Sequence, residues 1–94
     1  MMNNYFDLEI KKDLTKLAGN AMGRQIYSSQ LQDKIDFNSP ITIEFPERVD
    51  YIATSFIQGF FHEIVRNIGI IGVENITIKS SISDLKEFIV KNLE

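Results

Sequence analysis

Two hydroxyl residues, Thr54 and Ser55, stand where a short apolar segment runs directly into a strongly amphipathic one. Hydroxyls at the mouth of a helix have two uses. They cap free backbone amides, or they accept a phosphate, which the unpaired amides and the positive end of the helix dipole accommodate. Ser55 with Gln58 three residues on has the Ser-x-x-Gln spacing of a capping box, and on that reading its loss costs about 1 kcal/mol. A phosphate on Thr54 or Ser55 adds about two negative charges instead, enough to repel an acidic partner surface.

The other residues with chemical potential are few. Arg24, after Gly23, is either a solvated side chain at a helix start or a bidentate partner for a carboxylate or phosphate. Neither Gly-x-x-x-x-Gly-Lys nor Gly-x-Gly-x-x-Gly accompanies it, so no dedicated nucleotide cradle is indicated. His62 is the single histidine. Its neighbours Glu63 and Arg66 are not a metal-ligand set, and its expected place is the edge of a polar helix face. Ser55 lies seven positions away on the same helix, about two turns or ~10 Å, too far for a nucleophile and its base. Asp50 belongs with Glu44, Glu47 and Arg48 around Pro46, either as a solvated turn or, with Asp36, as an acidic rim to the hydroxyl junction. No catalytic residue, metal site or cofactor is indicated by these residue types, and the expectation is a protein that is not an enzyme.

Composition narrows the field further. The formal charge is −3 over 94 residues, and Lys11, Lys12 and Lys16 are interrupted by Asp13, so the basic stripe of a nucleic-acid binder is missing. The chain has no cysteine, which removes disulfides and thiolate chemistry and fits a reducing compartment. The stretch from Met1 to Asp7 lacks the basic start and apolar run of a leader, and no apolar run approaches the ~20 residues of a bilayer span. The expectation is a cytoplasmic protein with no membrane role. A hydrophobic content of 44% with 24% charged residues suits a folded domain.

The elements that must position these residues follow from periodicity. Residues 5–10 alternate, with Phe6, Leu8 and Ile10 on one face, as a first strand. Residues 11–22 read as mostly loop around the Gly19-Asn20 turn signal, with room for one helical turn. Ile26, Tyr27, Leu31 and Ile35 give residues 23–35 a helical spacing, and Ser29 with Gln32 allows a later start. Residues 41–45 form the clearest strand, ended by Pro46, and residues 49–52 are an apolar bridge. A long helix then places Phe56, Ile57, Phe60, Phe61, Ile64, Val65 and Ile68 on one stripe, with Gln58, His62, Glu63, Arg66 and Asn67 opposite. Gly69 suits its C′ position. Residues 75–79 form a third strand. Asp84 can cap a last helix with Leu85, Phe88, Ile89 and Leu93 inward. This alternation predicts one α/β domain, residues 1–94, with a mixed or mostly parallel sheet of three to four strands and about three helices.

Gly23-Arg24, Tyr27-Ser28-Ser29-Gln30, the strand at 41–45 and above all the run from Thr54 to Phe61 (Thr-Ser-Phe-Ile-Gln-Gly-Phe-Phe) together resemble the bacterial STAS-like domain family of unknown function. The resemblance spans about residues 5 to 90. That family is similar in turn to the anti-sigma factor antagonists, whose STAS domains bind a serine-protein kinase of the histidine-kinase-like ATPase type. In those proteins a serine at the head of the corresponding helix is phosphorylated to release the partner. The resemblance places Thr54 on the acceptor position and Ser55 on the serine after it, with Ala53 in place of an aspartate and Phe56 in place of a glycine. It implies a STAS-like fold and a regulatory module that binds a protein partner through Thr54 and Ser55. Arg24, Asp50, Gln58 and His62 are the flanking surface candidates. The alternative is a self-associating scaffold subunit, in which part of the Phe56, Phe60 and Phe61 stripe serves an interface between copies.

Overall fold

Alternating side chains build a sheet with one wet and one dry face. The computed structural model describes residues 4–94; the first three residues of the N-terminal stretch considered for a leader lie outside the described residues. The element order is β1 (Tyr5–Asp7), β2 (Lys16–Leu17), α1 (Asn20–Gln30), β3 (Thr42–Glu44), β4 (Tyr51–Ile52), α2 (Thr54–Glu74), β5 (Thr77–Lys79) and α3 (Leu85–Leu93). One parallel sheet has the order β1-β3-β5, and β2 and β4 form a second, two-stranded parallel pair. Phe6, Ile43 and Ile78 are aligned across the first sheet, and Phe6 and Ile43 are buried. The residues on either side of them point the other way, as the twofold period of a strand requires. On that outer face the Tyr5 hydroxyl donates to Glu44 Oε1, and Lys79 Nζ lies 5.1 Å from the Tyr5 ring centre.

The three longer strands lie within the segments that alternation marks but are shorter than expected, β1 ending at Asp7 rather than Ile10 and β5 starting at Thr77 rather than Asn75. Single backbone bonds such as Leu8 N–H to Glu44 O at 2.9 Å and Phe45 N–H to Lys79 O at 2.8 Å continue the pairing at their ends. The expectation for residues 11–22 needs correction. They contain β2, and α1 starts at Asn20 rather than Gly23. Gly19-Asn20 is the helix start itself: Gly19 takes φ 97°, which only glycine adopts freely, and turns the chain into α1. The helix closes at Gln30, so Ser29 ends a helix and does not begin one; its hydroxyl donates to the Ile26 carbonyl. Residues 49–52, read as a bridge, include β4, held through Asp50 N–H to Thr15 O at 2.8 Å.

In α2, Phe56, Ile57, Phe60, Phe61 and Ile64 are buried, while Val65 and Ile68 are half-buried against them. Gly69 does end the first helical run, at φ 70° and ψ 177°, but the chain then re-enters a helical turn that Asn75 closes. Asp84 sits before α3 as expected. It adopts a left-handed conformation (φ 58°, ψ 29°) and makes no side-chain capping bond.

Phe60 is the centre of the core. Its ring meets Phe61 edge-on at 4.9 Å, stacks on Phe56 at 5.7 Å, and contacts Tyr27 and Phe45 at 6.1 and 6.3 Å. These are favourable aromatic distances. The same crossing brings the α1 and α2 backbones together at two glycines. A Cβ on Gly59 would stand 2.2 Å from the Asn20 carbonyl oxygen, and one on Gly23 would stand 2.4 Å from that of Phe56. Gly23 is thus a packing residue, and its place in the sequence pattern is explained by the helix it leans on.

Candidate functional site

The head of α2 is where the elements converge. Ala53, extended at φ −77° and ψ 153°, occupies the N-cap position, and no side chain caps the helix. The capping box expected of Ser55 and Gln58 is absent because Ser55 is already the second helical residue. Its hydroxyl turns outward and accepts the Gly19 N–H at 2.9 Å. The Thr54 hydroxyl donates to Asn92 Oδ1 at 3.1 Å, and the Asn92 amide donates to the Phe88 carbonyl at 2.8 Å. Ser55 thereby fastens the loop before α1, and Thr54 fastens the last turns of α3. Neither partner is near in sequence, so residue spacing carried no signal for either bond.

The remaining candidates divide. Gln58 and His62 lie exposed on the outer flank of α2, next to the junction. The Arg24 guanidinium is engaged within its own helix, its Nε donating to Asn20 Oδ1 at 2.7 Å. Asp50, just before β4, forms an exposed ion pair with Lys16 at 3.1 Å. The acidic rim does not assemble. Glu44 is bonded to Tyr5 on the outer sheet face, and Arg48 is held by the carbonyls of Ile10 and Lys11. Asp36 is drawn to the opposite end of the sheet, where its N–H donates to Asn4 Oδ1 at 2.9 Å. There the Asn38 amide and the Ser39 hydroxyl hold its carboxyl below the ordinary carboxylate range. Inside the core, burial and the negative charge of Glu63 push the Tyr27 phenol above its ordinary value.

Beside the junction is a feature not foreseen. A cleft of about 450 Å³ separates β4 from the start of α3, with Tyr51, Ile52, Ile82, Leu85 and Phe88 among its walls. Phe88, expected inward, is 41% exposed, and Tyr51 is 53% exposed. The signal available in the sequence was slight: with Leu85 and Ile89 on the inner line of α3, Phe88 falls to one side of it. The stripe aromatics Phe56, Phe60 and Phe61, by contrast, are fully buried within the chain, so none of them is free to form an interface between copies.

Among the described residues, no group of three or more His, Asp or Glu side chains is placed to hold a metal ion. Among them, too, no helix is long and apolar enough to cross a membrane. Compared with protein-family models, curated proteins and solved structures, the chain finds no match in any of the three. What the fold defines is a small α/β protein whose described residues form three helices and parallel sheets of three and two strands.

Proposed function

We propose that the protein is a non-enzymatic regulatory module of STAS-like kind, which binds a protein partner of the ATPase or serine-kinase type through the junction of β4 and α2. One observation carries this reading. The two hydroxyls at the head of α2 fasten the other two helices, Ser55 through Gly19 and Thr54 through Asn92. A partner surface that competes for one of these hydroxyls, or a phosphate placed on it, acts on the seating of another helix against α2: α1 through Ser55, α3 through Thr54. Gln58 and His62 supply polar contact surface on the adjoining flank. The resemblance of the Thr54–Phe61 run to the STAS-like family, which is similar in turn to the anti-sigma factor antagonists, supports the same partner class, and binding does not require that Thr54 be phosphorylated.

Site-specific photo-crosslinking in the source cell tests this. A photoreactive residue at position 58 or 62 is expected to capture an ATPase- or kinase-type protein, while one at position 77, on the outer sheet face, captures none. Equal capture from position 77, or none from 58 and 62, refutes the assignment. Intact mass after co-expression with the captured kinase reads whether Thr54 or Ser55 gains a phosphate. Self-association is the second reading, favoured by Ile71, which stands 76% exposed two residues after the Gly69 break. Light scattering that shows a monomer at every concentration ends it.

A further inference from the structure

We infer that the cleft between β4 and α3 docks a basic peptide segment of a partner protein, one large apolar side chain entering the cleft and lysines or arginines flanking it. This rests on the reading of the protein as a protein-binding module and adds the chemistry of what is bound. The cleft, at about 450 Å³, falls in the range of roughly 300–1,000 Å³ typical of ligand sites. Tyr51 on β4 and Phe88 on α3 both line it and both remain substantially exposed. Large aromatics held at the mouth of a concave apolar site are the residue types that anchor protein contacts.

Charge selects the occupant. A second cleft of about 520 Å³ runs along the other flank of α3 and shares Asp84, Glu87 and Lys91 with the first. Across the two, Asp50 is met by Lys16 at 3.1 Å. That leaves the docking cleft with the carboxylates of Asp84 and Glu87 against the ammonium group of Lys91, while Glu74, Glu94 and Lys86 belong to the second cleft alone. Lys86 is itself drawn to the Glu74 carbonyl at 2.8 Å. Asp84 stands at the N-cap of α3 without capping it, so its carboxylate is left at the rim. Among the described residues, neither Asp84 nor Glu87 has a cation within 4.0 Å. An acidic rim around an apolar floor is complementary to a cationic peptide with an apolar anchor. A symmetric contact between two copies would set this acidic face against itself, which disfavours a second copy as the occupant.

The test uses the full isotope-labelled chain and three synthetic peptides: a phenylalanyl-leucyl pair flanked by lysines, the same peptide with glutamates for lysines, and the same with serines for the apolar pair. The lysine peptide is expected to shift the amide resonances of residues 51–52 and 82–91. Its affinity should fall at least ten-fold in Phe88→Ser and again in Glu87→Lys, both exposed positions, and should weaken with added salt. Neither control peptide should bind at comparable concentration. Binding of the serine or glutamate peptide, no shift at all, or loss of a dimer on Phe88→Ser overturns the proposal. Shifts confined to residues 58 and 62 overturn it while leaving the junction reading intact. Failed crosslinking at 58 and 62 with cleft shifts still present overturns that reading and leaves the cleft standing.

Discussion

Gly59→Ala is the substitution whose sign discriminates most sharply. In an exposed helix interior the exchange stabilises by about 1 kcal/mol, because alanine loses less backbone freedom on folding. Here the added Cβ meets the Asn20 carbonyl oxygen at 2.2 Å and its carbon at 2.9 Å, where ordinary contact begins at 3.4 Å. The obstacle is backbone at the first residue of α1, not the end of a flexible side chain. The helices must therefore part by about 1 Å, and a gap of that size forfeits a quarter to a half of the dispersion energy of every contact it opens. The contacts at stake are those of Tyr27 and Phe60. Overpacking of this kind costs about 1–3 kcal/mol net, a fall in Tm of about 4–8 °C per kcal/mol for a domain this small. Urea unfolding at equilibrium measures it. Gly23→Ala meets Phe56 O at 2.4 Å and Phe60 N at 2.6 Å across the same crossing, so the double variant should cost less than the two single losses combined. A Gly59→Ala protein as stable as the parent, or more so, refutes the close crossing and the reasoning built on it.

Four further outcomes follow from the same structure. Gly69→Ala meets nothing within 4 Å yet should destabilise by about 1–3 kcal/mol, because φ 70° with ψ 177° is essentially a glycine conformation; thermal unfolding reads it. Ser55→Ala should cost about 0.5–1.5 kcal/mol and speed hydrogen exchange at the Gly19 amide while sparing the first turn of α2, the reverse of what loss of a cap would do. Phe60→Ala should cost about 3–5 kcal/mol, a large share of the roughly 5–14 kcal/mol available to a chain of this size, seen as a lowered urea midpoint. Asp36 has its folded carboxyl held below the ordinary range, so its contribution is present above the unfolded pKa and is lost as pH falls through the folded one. Asp36→Asn should accordingly lower stability at neutral pH and flatten its decline on acidification, in urea titrations across the carboxylate range.

Much of the architecture was legible because strands and helices write their burial into a period of two or 3.6. Ile43 on the middle strand with Ile41 and Phe45 at its two ends, and Phe56, Ile57, Phe60, Phe61 and Ile64 on the central helix, are all buried. The misreadings have a common cause. β2 and β4 are two residues each, too short to show any period, and they exist only because each has the other to bond. Asn20 opens a helix because Gly19 turns the chain there and because the first turn can rest against Gly59.

The candidate site divides along the same line. From the sequence alone came the place: two hydroxyls at the start of an amphipathic helix, with Gln58 and His62 on its outer flank. Tertiary structure decided their use. The fold sets the Gly19 amide 2.9 Å from the Ser55 hydroxyl, which caps nothing in α2, while Thr54 finds Asn92 from the far end of the chain. The cleft of Tyr51 and Phe88 is likewise a product of two elements distant in sequence, and its acidic rim depends on which carboxylates α3 turns toward it. Periodicity is a property of neighbours along the chain, whereas hydrogen-bond partners, close helix crossings and clefts are properties of neighbours in space, and only folding brings those together.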